Sequence, residues 1–176
     1  YHNDESLTVT CIDDKKKGIA STNNLSDESI QSTIEKSETI ASFLEPDKYQ
    51  GLPKENLIND LNINCDINFP KEFTTDELID LTVECEKYAL NYDSKIKNSE
   101  GCEYAYSQSN NLILNSHGAA GSYSSTSYTL SCVVIAEDNN LKERDYAYTT
   151  RRNFEKTENP KTIGELSAKK ALSRLS

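Results

Sequence analysis

Tyr128-Thr129-Leu130-Ser131-Cys132-Val133-Val134-Ile135-Ala136-Glu137-Asp138-Asn139-Asn140-Leu141 decides the reading of this chain. Leu130, Cys132, Val134 and Ala136 fall on one face of an extended backbone, Thr129 and Ser131 on the other. That period of two marks a half-buried strand. Asp138-Asn139-Asn140 then supplies residues that tolerate positive φ, and so a turn. Working outward, the pattern predicts strands over Cys102–Gln108, Leu112–Ser116, Ser122–Glu137 and Leu141–Arg152. The intervening turns fall at Asn110-Asn111 and at His117-Gly118 with Gly121. Short connections make an antiparallel arrangement economical. The predicted fold class is α+β: an antiparallel β-meander sheet with helices packed on one face, truncated at both ends.

Upstream, Ser6 to Asp13 alternates, Asp13-Asp14-Lys15-Lys16 forms a charged turn, and Lys17–Thr22 returns as a second strand. Ser26 is a good N-cap for the helix that follows. Asp27 and Glu28 complement its dipole, and Leu25 with Ile30 makes a hydrophobic staple. Ile30, Ile34, Ser37, Ala41 and Leu44 share a face of that helix, and Pro46 stops it. Glu45 to Pro70 is irregular and should wrap the surface, anchored by Tyr49, Leu52, Leu57, Leu61 and Ile67. A second helix opens on a capping box of Thr74 and Glu77 with a Phe73–Leu78 staple. It carries the stripe Leu78, Leu81, Thr82, Cys85, Tyr88 and Ala89. A third opens near Thr162 and Glu165 and runs to the end. The domain reading is one α+β domain over residues 1–160, missing its first elements. A helix over 161–176 leads toward a further C-terminal domain.

The 176 residues suffice for one domain with a modest core: 35% are hydrophobic, Trp and Met are absent, and Tyr supplies most of the aromatic surface. Without Met, and opening inside an apparent strand, the chain reads as a fragment of a longer protein. A net charge of −10 opposes binding to nucleic acid or an anionic membrane. No apolar run approaches the roughly 20 residues of a membrane-spanning helix. Cys11, Cys65, Cys85, Cys102 and Cys132 are odd in number and scattered, which fits reduced cytoplasmic thiols.

No catalytic or metal-binding residue is read from the pattern. Ser116-His117 are sequence neighbours with no nucleophile elbow, and His117 before Gly118 reads as a turn. The cysteines offer no C-x-x-C spacing and the histidines no H-E-x-x-H. Glu84 and Glu86, two apart on a helix, point away from each other. Glu143, Arg144, Asp145, Arg151 and Arg152 are explained by cross-strand ion pairs. The remaining candidates are tyrosines. Tyr146 and Tyr148 share a face with Arg144, and Tyr104 and Tyr106 line a neighbouring strand. These five are the candidate peptide-contact residues, against a plain alternative of half-buried sheet tyrosines.

A collinear series of motifs adds a resemblance. Gly18-Ile19-Ala20-Ser21-Thr22 precedes Leu25-Ser26 and a helix. Ile96-Lys97-Asn98-Ser99-Glu100-Gly101, Asn115-Ser116-His117-Gly118, Gly121-Ser122-Tyr123-Ser124-Ser125-Thr126 and Ser131-Cys132-Val133-Val134-Ile135-Ala136-Glu137 come later. Glu143-Arg144-Asp145-Tyr146-Ala147-Tyr148-Thr149 and Leu172-Ser173-Arg174-Leu175-Ser176 close the series. In this order they resemble the N-terminal domain of the TldD/PmbA family, on its PmbA (TldE) branch. The resemblance implies a subunit of a bacterial cytoplasmic zinc-metalloprotease system. It acts on flexible or unfolded peptides, including peptide-antibiotic precursors and antitoxins, and its TldD-type and PmbA-type subunits form a heteromer. The family's zinc ligands, an H-E-x-x-x-H helix plus a cysteine, have no match here. The resemblance therefore implies no cofactor in this region and zinc on a TldD-type partner.

Two functions from different classes follow. One is a non-catalytic domain of a PmbA-type subunit. The other is a stand-alone peptide-binding or scaffold module without protease activity. The reading frame beyond Ser176 discriminates them: a second long domain supports the first, a nearby stop the second, and an H-E-x-x-x-H motif a catalytic subunit.

Overall fold

In the computed structural model, residues 2–55 and 64–175 are described. Among these described residues five strands and three α-helices follow one another. β1 (Leu7–Asp13) and β2 (Lys16–Thr22) precede α1 (Asp27–Phe43), then α2 (Thr75–Leu90). β3 (Ile96–Leu114), β4 (Ala120–Asp138), β5 (Leu141–Arg151) and α3 (Pro160–Ser173) complete the order. The class is α+β, but with two antiparallel sheets, β1-β2 and β3-β4-β5, rather than one meander. The chain divides into two compact units. One comprises residues 1–59 with Leu114–Ala119, the other residues 60–113 with 120–176. The expected domain over 1–160 and trailing helix over 161–176 stand beside that division, with α3 packed on β4, β5 and α2.

In the first unit, β1 and β2 pair in register from Leu7↔Thr22 to Asp13↔Lys16. The charged turn between them takes the left-handed region at both Asp14 (φ 44°) and Lys15 (φ 62°), as a tight two-residue hairpin requires. Ser26 caps α1 by accepting from the Ser29 amide. Thr33, Ser37 and Ala41 form the buried stripe of α1. This helix lies so close to β2 that a Cβ on Gly18 would sit 1.9 Å from the Ser37 carbonyl oxygen. His117 is a turn residue, its Nδ1 2.9 Å from the Pro53 carbonyl oxygen.

In the second unit, α2 opens on the predicted capping box. The Glu77 amide donates to Thr74 Oγ1, and the Thr74 amide to the Glu77 carboxylate, which holds that carboxyl below its usual range. β4 and β5 pair from Tyr128↔Arg151 to Asp138↔Leu141 around a turn with Asn139 and Asn140 at positive φ. Leu130, Cys132, Val134 and Ala136 are buried beneath α2 and α3 with Ala147, Ile163, Ala168 and Ala171. The small residues of α3 permit close approach. A Cβ on Gly164 would lie 2.3 Å from the Cys85 carbonyl oxygen.

Three expectations need correction. Asn110-Asn111 is no turn: β3 runs through it, because β4 offers a continuous partner and Ser124 Oγ donates to Asn110 Oδ1 at 2.6 Å. The third helix starts earlier than Thr162. Asn159 is its N-cap, accepting from the Thr162 amide, and Pro160 occupies the first turn, where a missing N–H costs nothing. The Tyr49 side chain is 83% exposed and so is not a buried anchor. Of the other proposed anchors in that irregular stretch, Leu57 and Leu61 lie outside the described residues. Ile67 is fastened, its carbonyl accepting from the Thr126 amide at 3.0 Å.

Candidate functional site

The five candidate contact residues divide between the two faces of the β3-β4-β5 sheet. Tyr104 and Cys102 pack against the helix-covered core. Tyr106, two residues on, follows Tyr104 onto that face and stacks on buried Tyr128 with ring centroids 4.8 Å apart. Phe73 and Phe154 complete this aromatic cluster. Tyr128 donates to the Phe69 carbonyl at 2.6 Å, and burial pushes its phenol up to about 12. The Tyr104 hydroxyl is buried without a partner among the described residues, and its pKa is also raised by burial. Beside it lies a cavity of about 180 Å³ lined by Leu81, Leu130, Phe154 and residues Thr157 to Pro160.

Arg144, Tyr146 and Tyr148 are on the opposite, uncovered face. Register places them across from Ile135, Val133 and Ser131 of β4. Tyr146 and Tyr148 are 49% and 59% exposed, and their rings lie nearly parallel with centroids 6.2 Å apart. Arg144 donates through Nε to Glu100 at 2.7 Å. The result is a row of two exposed tyrosine rings with an ion-paired arginine at one end.

The edge of β5 beside this row is blunted. The Tyr146 amide donates to the Asp145 carboxylate and the Tyr146 carbonyl accepts from Lys170 Nζ at 3.2 Å. Asp145 also accepts from Arg174, whose guanidinium, with the Tyr146 amide, holds the carboxyl below the usual carboxylate range. With those backbone groups occupied, pairing of a further strand at Tyr146 is disfavoured.

A second constellation escaped the sequence reading. Cys85 of α2, Cys102 of β3 and Cys132 of β4 bring their sulfurs within 4.8 Å of one another. Cys85 and Cys132 are fully buried, Cys102 partly so, and no cysteine is in a disulfide among the described residues. Hydrogen bonds from Cys102 and Cys85 hold Cys132 below the ordinary thiol range, helped by Ser167. Cys102 is driven upward by the same contacts and burial. Cys85 feels opposed hydrogen bonds, with Cys102 lowering and Cys132 raising, and burial leaves it at about 12. The sequence signal was indirect. Cys85 sits on the apolar stripe of a helix and Cys132 on the apolar face of a strand, so both point into one core.

With this geometry in place, the chain belongs to the PmbA/TldA metallopeptidase family. Residues 68–175 match the family's central domain and residues 1–41 its domain 1. Over its whole length it is 35% identical to the metalloprotease PmbA of Escherichia coli O157:H7. It is 34% identical over 99% of its length to the PmbA homolog of Haemophilus influenzae. The chain spans 39% of the length of each. Its fold is similar to that of TldE from Thermococcus kodakarensis, with a TM-score of 0.76 at 20% identity. That match covers 95% of this chain and 37% of the archaeal one.

Proposed function

We propose that this region is a non-catalytic, substrate-handling part of a PmbA-type subunit in a cytoplasmic zinc-metalloprotease system. Zinc belongs to a TldD-type partner in a heteromer, and the substrates are flexible or unfolded peptides, with peptide-antibiotic precursors and antitoxins among them. Family membership supports the setting. The observation that carries the role is the exposed Arg144–Tyr146–Tyr148 row on a sheet face that no described helix covers. Tyrosine rings give large contact area at low entropic cost, and a rigid strand holds them in line. The metal would activate water and polarise the scissile carbonyl on the partner subunit. Here the chain's own contribution is to grip and align.

The test uses the full-length protein with its TldD-type partner. Replacing Tyr146 and Tyr148 together by Ala should weaken capture of an unfolded peptide about tenfold or more while the subunits still co-purify. Two interface aromatics commonly contribute this much. Unchanged peptide affinity in a folded, co-purifying double variant would refute the assignment of this face. Failure to co-purify even the unaltered protein with a TldD-type partner would favour the stand-alone binding module.

A further inference from the structure

We propose that Cys85, Cys102 and Cys132 form a trigonal thiolate site for a soft monovalent cation of the Cu(I) type. It is separate from the zinc chemistry assigned above to the partner and independent of that assignment. Three observations carry the inference.

The first is convergence. The thiols come from three elements, α2, β3 and β4, and their sulfurs all lie within 4.8 Å of one another. Metal–thiolate bonds of about 2.3 Å in a trigonal plane need sulfurs about 4.0 Å apart. Contraction by less than about 1 Å, within reach of small side-chain rotations, closes the triangle.

The second is the donor set. It holds sulfur only, and such sets select Cu(I), Zn(II) or iron–sulfur clusters. Structural zinc requires a fourth ligand in tetrahedral array, and no fourth Cys, His, Asp or Glu joins this group among the described residues. A low-coordinate monovalent ion fits this donor set better than zinc does.

The third is the surround. Buried Ser167 of α3 lies beside Cys132, with its hydroxyl donated to the Gly164 carbonyl at 2.7 Å. Cys102 is the least buried of the three, which makes its side of the triangle the nearest to solvent. Each metal–sulfur bond formed from a thiol releases one proton to solvent. Packing alone explains a buried cysteine as a small hydrophobe. It does not call for three of them to meet at one point.

The experiment is an anaerobic Cu(I) titration of the full-length protein against a chromophoric Cu(I) chelator. It is read as stoichiometry and as thermal stabilisation, and repeated with Cys102→Ala, Cys132→Ser and the control Cys65→Ser. The expected result is one equivalent fewer of tightly held Cu(I) in Cys102→Ala than in the unaltered protein or the control. The Cu(I)-dependent rise in melting temperature should disappear in the same variant. Cys102 is the least buried of the three, so its alanine variant should fold and remain the decisive arm if Cys132→Ser does not. Equal Cu(I) stoichiometry and stabilisation in Cys102→Ala would overturn the proposal. So would Zn(II) stabilising the protein, through the same cysteines, at concentrations where Cu(I) does not.

Discussion

Tyr104 and Tyr128 are two phenols in one aromatic cluster with opposite polar accounts. Tyr128 donates to the Phe69 carbonyl, whereas the Tyr104 hydroxyl is buried without a partner among the described residues. A buried hydroxyl that forfeits its hydrogen bond to water costs about 1–3 kcal/mol, and a made bond returns about 1 kcal/mol. Tyr104→Phe should therefore leave stability unchanged or raise it by about 1 kcal/mol. Tyr128→Phe should lower it by a similar amount, both read from denaturant midpoints of the full-length protein. Gly164 poses a steric question instead. Its missing Cβ would meet the backbone of α2 at Cys85. Backbone cannot rotate aside as a side chain can, so Gly164→Ala should cost about 1–3 kcal/mol, as overpacked cores do. Increased hydrogen exchange along α2 and α3 would report it. None of these roles is written in the local sequence. Tyr104 and Tyr146 look equivalent on alternation alone, and only strand pairing assigns them to opposite faces.

At the scale of elements, helix starts were the most legible feature, because caps are local chemistry. The Ser26 cap and the Thr74–Glu77 box form as the residues dictate. Thr74→Ala should destabilise α2 by about 1 kcal/mol, visible as faster exchange of the Glu77 amide. The start of α3 shows the limit of such reading. Asn159-Pro160 and Thr162…Glu165 are both plausible openings, and the first prevails where Ile163 and Gly164 already have to be helical to meet α2. The other end of α3 is tied to β5 through Asp145 and Arg174. The carboxyl of Asp145 is depressed in the folded state, so its contribution is complete above the unfolded-state value of about 3.9 and lost as pH falls through the lower, folded value. An acid titration of the melting temperature should show that loss, and Asp145→Asn should flatten it.

At the scale of the molecule, an excess of acidic residues gives a net charge of −10. A surface of that sign should give this region no retention on double-stranded DNA at physiological salt, since neutralising phosphates is what sustains such binding. A filter-binding assay at two ionic strengths would check it. No helix of the described residues is long and apolar enough to cross a membrane. By itself, the sequence determined the period-two face of β4, the hairpin turns at Asp14-Lys15 and Asn139-Asn140, two helix caps and the collinear motifs of the family. Each of these depends on residues close together in the chain, where torsional preference and amphipathic period act directly. The tertiary structure alone decided what depends on pairing and packing: the uninterrupted β3, the separate β1-β2 sheet, and the division of the tyrosines between faces. It also decided the meeting of Cys85, Cys102 and Cys132. Those thiols are distant in sequence and carry no spacing signal, because what brings them together is the burial of three apolar surfaces in one core.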